Sequence, residues 1–429
     1  PVVVGDPSRG GVVVGGGDPI VRQSMLTCST LDTDASIEQS MALVDVGCQI
    51  VRITAQTKRY AANLEHIISG IRALGSNVPI VADIHFKPDA AMEAVKWCEM
   101  VRVNPGNYAD SKKFDVREYT DDQYAAELKR IEEEFAPLVE ECKSRNRALR
   151  IGTNHGSLSD RIMNRYGDTP LGMVESALEF ARIARDRGFH NFKFSMKSSN
   201  PKVMIECYRL LAARLAELGS DWNYPLHLGV TEAGDGEDGR IKSAIGIGSL
   251  LCDGLGDTIR VSLTEDSPNE IAVCCDLISQ VKELTDSSVN VPNVGLSYNP
   301  FEFQRRETPE IELVEGVMCG GEQTIRVVVT QTAWDKLSSR IRPGDDVKPE
   351  AIHEELNLLE VDPRKPISVN CDTQLVTVKD DINLPVITAF RLLAGQLKAA
   401  GTNNPILVKD SLKFGEVPLE PNIALLRAA

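Results

Sequence analysis

The feature that most constrains the fold is a pattern that recurs through residues 20–266, in which a short apolar run is followed by polar residues. It occurs eight times, and successive copies begin 21 to 49 residues apart, which leaves room for a helix and two loops in every interval. Eight βα units in succession predict an α/β fold, a (β/α)8 TIM barrel whose strands are buried on both faces. The eight segments are 20–25, 49–56, 79–86, 100–107, 149–157, 191–199, 225–234 and 258–266.

Parallel strands deliver their carboxyl ends to one rim of such a barrel, so the polar residues that follow the strands should gather there. The stretch 149–160, LRIGTNHGSLSD, shows this most clearly, because a buried strand passes directly into a polar loop that contains Gly156. We therefore expect the chemistry of the protein at this rim.

The chain of 429 residues is longer than the roughly 250 that one barrel requires. Around Asp286 the composition becomes rich in proline and asparagine, and strand-like runs then alternate with helical ones. These features predict a barrel over 1–285 and a second, smaller α/β domain, complete or partial, over 286–429. The valine-rich residues 1–19 predict a hairpin that plugs the N-terminal end of the barrel.

The composition argues against several classes of protein. A net charge of −15 does not suit a general nucleic-acid binder or a protein of acidic membrane surfaces, which need an extended basic face. No apolar run approaches the ~20 residues of a membrane span. The ten cysteines are scattered without a C-x2-C pair, which indicates buried thiols in a reducing compartment and no metal site in this chain.

Five basic residues stand within or near strand ends whose neighbours are apolar. Burying a guanidinium without a partner is unfavourable, so a group of them needs anions to face. Planar guanidinium groups match phosphate oxygens, which favours a polyanionic ligand. For any single arginine, an ion pair with Asp83, Glu232 or Asp257 is an equal alternative. The five are Arg52, Arg102, Arg150, Lys197 and Arg260.

Neutral side chains at the same rim can orient a ligand through hydrogen bonds, namely Asn104, Asn154, Ser157, Thr231 and Ser262. The two asparagines stand just before glycines, so turn formation is their alternative role. Glu232 is the acid we single out for catalysis, since an ionised carboxylate in a cationic pocket can contact a substrate hydroxyl or transfer a proton. Its alternative role is a salt bridge to one of the rim cations.

Asp83 and His85, within the segment ADIH, are a weaker pair of candidates for catalysis. A histidine titrates near neutral pH and can therefore transfer protons. A lone histidine in this position is, however, more often a hydrogen-bonded packing residue, and both interpretations stay open.

Six ordered motifs resemble the barrel domain of one enzyme family. They are PIVADIHF, VRVNPGN, LRIGTNHGSLSDR, FSMKSSNP, LHLGVTEAG and IRVSLT. In this order they are similar to the 4-hydroxy-3-methylbut-2-enyl diphosphate synthases of the methylerythritol phosphate route to isoprenoids, over about residues 8–266. The HGSLSDRIM variant and the FQRR segment after Asn299 resemble the longer, three-domain form of plants and some bacteria, in which a middle domain follows the barrel.

The resemblance implies a substrate and a set of site residues. The substrate would be 2-C-methyl-D-erythritol 2,4-cyclodiphosphate, whose ring is opened by a two-electron reduction with loss of water. Glu232 matches the family's glutamate near the reacting hydroxyl end of the substrate. The family's diphosphate-binding residues match Arg52, Arg102, Arg150, Asn154, Lys197 and Ser262, with Arg260 nearby.

The resemblance also implies a [4Fe-4S] cluster that is reduced by ferredoxin or flavodoxin. The family holds this cluster with three cysteines and a glutamate in a C-terminal domain, and Cys319 and Cys371 stand alone after Asp286. We therefore expect a barrel with all or part of the middle domain, which binds substrate, binds no cluster and is inactive alone. The compartment would be the bacterial cytoplasm, or the plastid stroma for a plant or algal protein, and a homodimer stays open.

Other functions are compatible with the same residues. Lys193 or Lys197 on the sixth strand would suit a Schiff-base aldolase of phosphorylated sugars, with the arginines binding phosphate. A pterin-binding synthase also uses an anion site between the seventh and eighth strands of such a barrel. A third interpretation is a scaffold that binds the substrate without catalysing a reaction.

Overall fold

The computed structural model describes residues 1–109, 118–285, 306–342, 344, 348–369, 373–413 and 420–429. The chain divides into two compact units, 1–281 and 282–424, with the last residues shared between them. Each unit is described by itself below.

The first unit contains the predicted barrel. Its strands are β1 (Val2–Val4), β2 (Val12–Val14), β3 (Val21–Met25), β4 (Ile50–Thr54), β5 (Ile80–Ile84), β6 (Met100–Val103), β7 (Ala148–Asn154), β8 (Phe192–Lys197), β9 (His227–Leu228) and β10 (Thr258–Ile259). The last eight form a parallel sheet in the order β8-β7-β6-β5-β4-β3-β10-β9, and a bridge between Phe194 and Leu226 joins its two ends. The (β/α)8 prediction is confirmed.

Helices connect the strands and bury their apolar faces against the outward side of the sheet. They are α1 (Thr33–Asp45), α2 (Lys58–Ala73), α3 (Pro88–Ala94), α4 (Asp121–Ser144), α5 (Asp160–Tyr166), α6 (Pro170–Asp186), α7 (Pro201–Leu218), α8 (Gly236–Ser243), α9 (Ser249–Cys252) and α10 (Ser267–Thr285). Local sequence sets where several of them begin. At the start of α4, for example, Thr120 and Gln123 form a capping box in which each side chain accepts a hydrogen bond from the other residue's backbone N–H.

The valine-rich hairpin closes the N-terminal end of the barrel, as predicted. β1 and β2 pair antiparallel, and Val2, Val4 and Val14 are fully buried. This end of the interior is therefore apolar, as the interiors of such barrels usually are. The hairpin forms one apolar cluster with the inward-facing residues Val21, Ile50, Val81, Met100 and Ala148.

Strand alternation places polar residues in the next layer of the interior. On β4, Val51 and Ile53 pack outward against the helices, whereas Ile50 packs inward on the hairpin. Side chains two residues apart share one face of a strand, so Arg52 faces inward above Ile50. The same two-residue step leads from the apolar layer to Asp83 on β5, Arg102 on β6 and Arg150 on β7.

The second unit is built from small sheets and helices, and is also α/β. Its elements are β11 (Ile311–Val314), β12 (Val317–Cys319), β13 (Val328–Val329), α11 (Gln331–Leu337), β14 (Ala351–Ile352), β15 (Leu358–Val361), β16 (Leu375–Val378) and α12 (Val386–Ala399), and α13 (Pro421–Ala428) follows. β15 and β16 pair in parallel. Leu393 and Leu397 of α12 share an apolar cluster with Val376 and Val378 of β16.

Candidate functional site

Four charged residues lie side by side in the barrel interior. Strand register pairs Asp83 with Arg102, Arg102 with Arg150, and Arg150 with Lys193, across the neighbouring strands β5 to β8. Paired residues of parallel strands point to the same face, and all four are buried. Charged residues from four separate strands of the barrel thus share one layer of its interior.

Asp83 is the acceptor at the centre of this layer. Nε of Arg52 donates to its Oδ2 at 2.9 Å, and Nη1 of Arg102 donates to its Oδ1 at 3.0 Å. Nε2 of His85 lies 3.1 Å from Oδ2. Burial alone would raise the pKa of Asp83, but the positive charges of Arg52 and Arg102 outweigh it and hold that pKa well below its usual value.

Arg102 is held by two further acceptors. Its Nη2 donates to the carbonyl of Gly152 at 2.8 Å and to Oδ1 of Asn154 at 3.0 Å. Gly152 also makes room for it, since a Cβ at that position would lie 2.7 Å from both Arg102 Nε and Ser195 Oγ. Arg102 is therefore fixed before any ligand arrives.

Arg150 is the exception among the interior arginines. Its Nε, Nη1 and Nη2 are all buried, and none has a hydrogen-bond partner among the described residues. The nearest carboxylate oxygen recorded for it, Oδ1 of Asp83, is 3.9 Å from Nη2. Burial, together with the charges of Arg52 and Arg102, lowers the pKa of this guanidinium well below its usual value. The Arg150 side chain is fully buried, so direct contact with a ligand requires neighbouring side chains to move.

The two lysines of β8 also lack a hydrogen-bonded anionic partner, although the negative charge of Asp257 favours the charged form of Lys193. Lys193 Nζ is buried without a hydrogen bond in the described part of the chain, and Lys197 makes no ion pair there. Burial lowers the pKa of both amines well below the usual value, helped by Arg150 for Lys193 and by Arg52 and Arg150 for Lys197. A Cβ at Gly229 would lie 3.3 Å from Lys197 Nζ, so this glycine gives the amine its space.

Arg260 has a partner that sequence reasoning missed. Its Nη2 donates to Oε1 of Glu270 at 3.0 Å, and its Nε donates to Oε2 at 3.3 Å. Glu270 lies in the first turn of α10, and it is 1% exposed. The sequence indicates that Glu270 is buried, because it lies at helical spacing from Ser267, Cys274 and Leu277, which are also buried.

The predicted neutral residues lie around the same interior. Both polar atoms of the Asn104 side chain are buried without a partner in the described chain, so that side chain makes no turn hydrogen bond. Asn154 is partly buried and holds Arg102. Thr231 and Ser262 are partly buried at the ends of the seventh and eighth barrel segments.

Glu232 and His85 lie at the exposed edge of the site. Glu232 is exposed and forms none of the ion pairs recorded for the described residues, so the alternative of a structural salt bridge is not realised. Its φ of 53° is in the left-handed region, which non-glycine residues seldom adopt. The side chain of His85 is 28% exposed, and it reaches inward only to Asp83. Asp257, another predicted partner, accepts from the backbone N of Leu226 instead of an arginine.

Among the residues that the structure describes, the barrel interior contains six basic side chains and two buried carboxylates. Asp83 and Glu270 accept hydrogen bonds from three arginines, which leaves one guanidinium and two amines without a hydrogen-bonded anion. Such a site is suited to bind a small, multiply charged anion, because fixed donors meet it in an environment that excludes water. The six are Arg52, Arg102, Arg150, Lys193, Lys197 and Arg260.

The described residues do not fit an iron–sulfur cluster. No group of three or more His, Cys, Asp or Glu side chains in this part of the chain is arranged to hold a metal ion. Burial raises the pKa of the Cys48 thiol to about 11 and of the Cys207 thiol to about 12, whereas cluster ligands are thiolates. The helices of the described chain are also too short or too polar to cross a membrane.

Comparison with known proteins points to one family. The model of the GcpE TIM-barrel domain matches residues 8–275. A 4-hydroxy-3-methylbut-2-en-1-yl diphosphate synthase (flavodoxin) of Akkermansia muciniphila is 53% identical over 95% of this chain and 70% of its own length. A chloroplastic, ferredoxin-type synthase of Oryza sativa subsp. japonica is 53% identical over 69% of this chain and 40% of its own length. A solved dihydropteroate synthase of Stenotrophomonas maltophilia aligns with 64% of this chain and 95% of its own at 14% identity and a TM-score of 0.41, which is too distant to bear on function.

Proposed function

The chain belongs to the GcpE family of 4-hydroxy-3-methylbut-2-en-1-yl diphosphate synthases, and on this basis we propose that its barrel binds 2-C-methyl-D-erythritol 2,4-cyclodiphosphate. The reaction it serves is the reductive opening of that ring to 4-hydroxy-3-methylbut-2-enyl diphosphate. The observation that carries the proposal is the group of interior cations without a hydrogen-bonded anion, centred on Arg150.

The diphosphate supplies the missing anion. It enters from the mouth, where Asn154, Thr231 and Ser262 are partly exposed, and reaches the buried amine of Lys197. Displacement of the covering side chains then brings its oxygens to the guanidinium of Arg150. Arg102 and Arg52 are already oriented by Asp83, so little side-chain entropy is lost on binding.

Glu232 acts on the hydroxyl end of the same substrate. The barrel mouth exposes its carboxylate, which is free to accept a hydrogen bond from a substrate hydroxyl or to transfer a proton. His85, hydrogen-bonded to Asp83, stands at the same edge as a second group able to move a proton. The cationic interior fixes the charged end of the ring and so determines which hydroxyl meets Glu232.

The electrons come from elsewhere. The names of the relatives specify flavodoxin or ferredoxin, and we propose one of these as the donor partner. Because the described residues offer no ligand set for a [4Fe-4S] cluster, the contribution of this barrel is to bind and orient the substrate. We assign residues 286–429 to the middle domain of the three-domain form.

Isothermal titration of the purified chain tests the proposal. The cyclodiphosphate should bind at least about tenfold more tightly than 2-C-methyl-D-erythritol, which has the same carbon skeleton without phosphate. A reduced pterin serves as the second control and should not bind. Equal binding of the two erythritol compounds, or binding of the pterin alone, would overturn the proposal.

A further inference from the structure

Glu270 has a defined place in the site although no ligand can reach it directly. We propose that Glu270 is a positioning residue, which orients Arg260 and Ser262 for the diphosphate of the substrate. This inference rests on the proposed function and adds a residue to it. The Glu270 side chain is 2% exposed, so it acts through its neighbours.

Each of the two carboxylate oxygens of Glu270 accepts two hydrogen bonds. Oε2 accepts from Ser24 Oγ at 2.6 Å and from Arg260 Nε at 3.3 Å. Oε1 accepts from Arg260 Nη2 at 3.0 Å and from the backbone N of Leu263 at 3.2 Å. A carboxylate can accept from four donors, whereas a glutamine in this place would turn its amide N–H groups toward two of them.

These bonds fix the segment that contains Ser262. Arg260 is held two residues before it and Leu263 one residue after it, so its backbone is tethered on both sides. The two bonds to Arg260 also set the plane of the guanidinium. They use Nε and Nη2, and they leave Nη1 free of any hydrogen bond that the structure records. An anion in the barrel can therefore be met by Nη1 and by the hydroxyl of Ser262.

The carboxylate is itself rigidly supported. Ser24 belongs to β3, and Ser267, at the start of α10, donates its hydroxyl proton to the carbonyl of Met25 at 2.8 Å. One buried side chain thus joins the first barrel strand, the first turn of α10 and the segment after β10. Movement of any of these would displace Arg260.

Replacing Glu270 removes both its negative charge and its positioning of Arg260 and Ser262, and these two losses have opposite effects on anion binding. Removing a buried negative charge makes the interior more positive, which should strengthen the binding of any small anion. Losing the orientation of Arg260 and Ser262 should weaken only a ligand that fits them. The two effects can therefore be separated by comparing the cyclodiphosphate with inorganic pyrophosphate.

The variant Glu270→Gln should bind cyclodiphosphate about tenfold more weakly than the wild type, the range of one charged hydrogen bond, and should bind pyrophosphate equally well or better. The matched control is Glu265→Gln, which removes the partner of Arg240 in the same segment and should change neither affinity. Parallel losses for both ligands, or no loss for the cyclodiphosphate, would overturn the positioning role.

A double-mutant cycle with Arg260→Gln distinguishes positioning from a general loss of structure. If Glu270 acts in part through Arg260, Glu270→Gln should weaken cyclodiphosphate binding less in the Arg260→Gln background than in the wild type, with the remaining loss due to Ser262, and fully additive losses would contradict this. If Glu270→Gln does not fold, Ser24→Ala removes one donor to the carboxylate and should weaken binding about threefold, and unchanged affinity would count against the inference. A wild-type chain that does not bind the cyclodiphosphate would overturn the proposed function and this inference together.

Discussion

Arg150 lies beside Asp83 without a hydrogen bond to it, at 3.9 Å from Nη2 to Oδ1. The two oxygens of that carboxylate are already occupied, one by Arg102 and the other by Arg52. One acid therefore accepts hydrogen bonds from two arginines and leaves the third buried without a hydrogen-bonded counter-ion. A buried, unpaired guanidinium destabilises the folded protein, so its presence is best explained by an anion that binds during function.

The ligand-free protein should become more stable when Arg150 is replaced by an apolar residue of similar length. We expect Arg150→Met to raise the free energy of unfolding by about 1 kcal/mol or more, because it removes an unpaired buried charge. Arg102→Met is the matched variant, and it should lower that free energy by about 3 kcal/mol, since it leaves Asp83 and Asn154 short of a donor. Urea unfolding measures both, and equal destabilisation by the two substitutions would contradict the distinction.

The stabilising effect of Asp83 should depend on pH. Its pKa in the folded protein lies well below the usual 3.8, so its contribution is fully present above that value and is lost as the pH falls through the folded pKa. Asp83→Asn should lower the free energy of unfolding by about 3 kcal/mol at neutral pH, and the difference from the wild type should shrink in acid. The exposed Asp186→Asn is the control, and a difference for Asp83→Asn that stays constant down to low pH would refute the assignment.

Binding of the cyclodiphosphate should take up protons. Burial and nearby arginines lower the pKa of Lys197, and an anion beside its amine favours the charged form and raises that pKa again. Titration calorimetry at about pH 8 in buffers of different ionisation enthalpy measures the uptake. Lys197→Met should reduce it and the exposed Lys202→Met should not. A binding enthalpy that does not depend on the buffer would exclude this coupling.

No lysine should form a Schiff base with a phosphorylated carbonyl sugar. Lys193 Nζ is buried below the mouth, and a phosphate beside Lys197 favours the charged form of its amine, which is not a nucleophile. Incubation with dihydroxyacetone phosphate and borohydride, followed by mass spectrometry, should give unmodified protein. An adduct on either residue would support the aldolase alternative.

The barrel and most of its interior could be predicted from the sequence because both follow from short-range periodicity. Side chains alternate between the two faces of a strand, so the sequence predicts that Arg52 and Arg102 face inward once their strands are recognised. The pairing of charges was harder to predict, because it depends on register between strands. Of the three acids proposed as partners, Asp83 alone pairs with barrel arginines, while Asp257 accepts from the backbone and Glu232 is exposed.

Glu270 was missed for a related reason. Glu270 lies on α10, ten residues after Arg260, and another of its donor residues, Ser24, lies 246 residues away along the chain. Helical periodicity placed it on the buried face, but only tertiary packing decides which donors surround a buried carboxylate. Likewise, nothing in the local sequence around Glu232 indicated its left-handed backbone conformation.

The central claim is that Arg150 is kept unpaired for the diphosphate of the substrate. Titration of Arg150→Ala with the cyclodiphosphate tests it most directly, with the exposed Arg145→Ala as the control. The account predicts that Arg150→Ala weakens binding by about 1.5 to 3 kcal/mol, the range for a hydrogen bond to a charged group, and that Arg145→Ala leaves it unchanged. Equal affinity of the Arg150→Ala variant and the wild type would contradict the account.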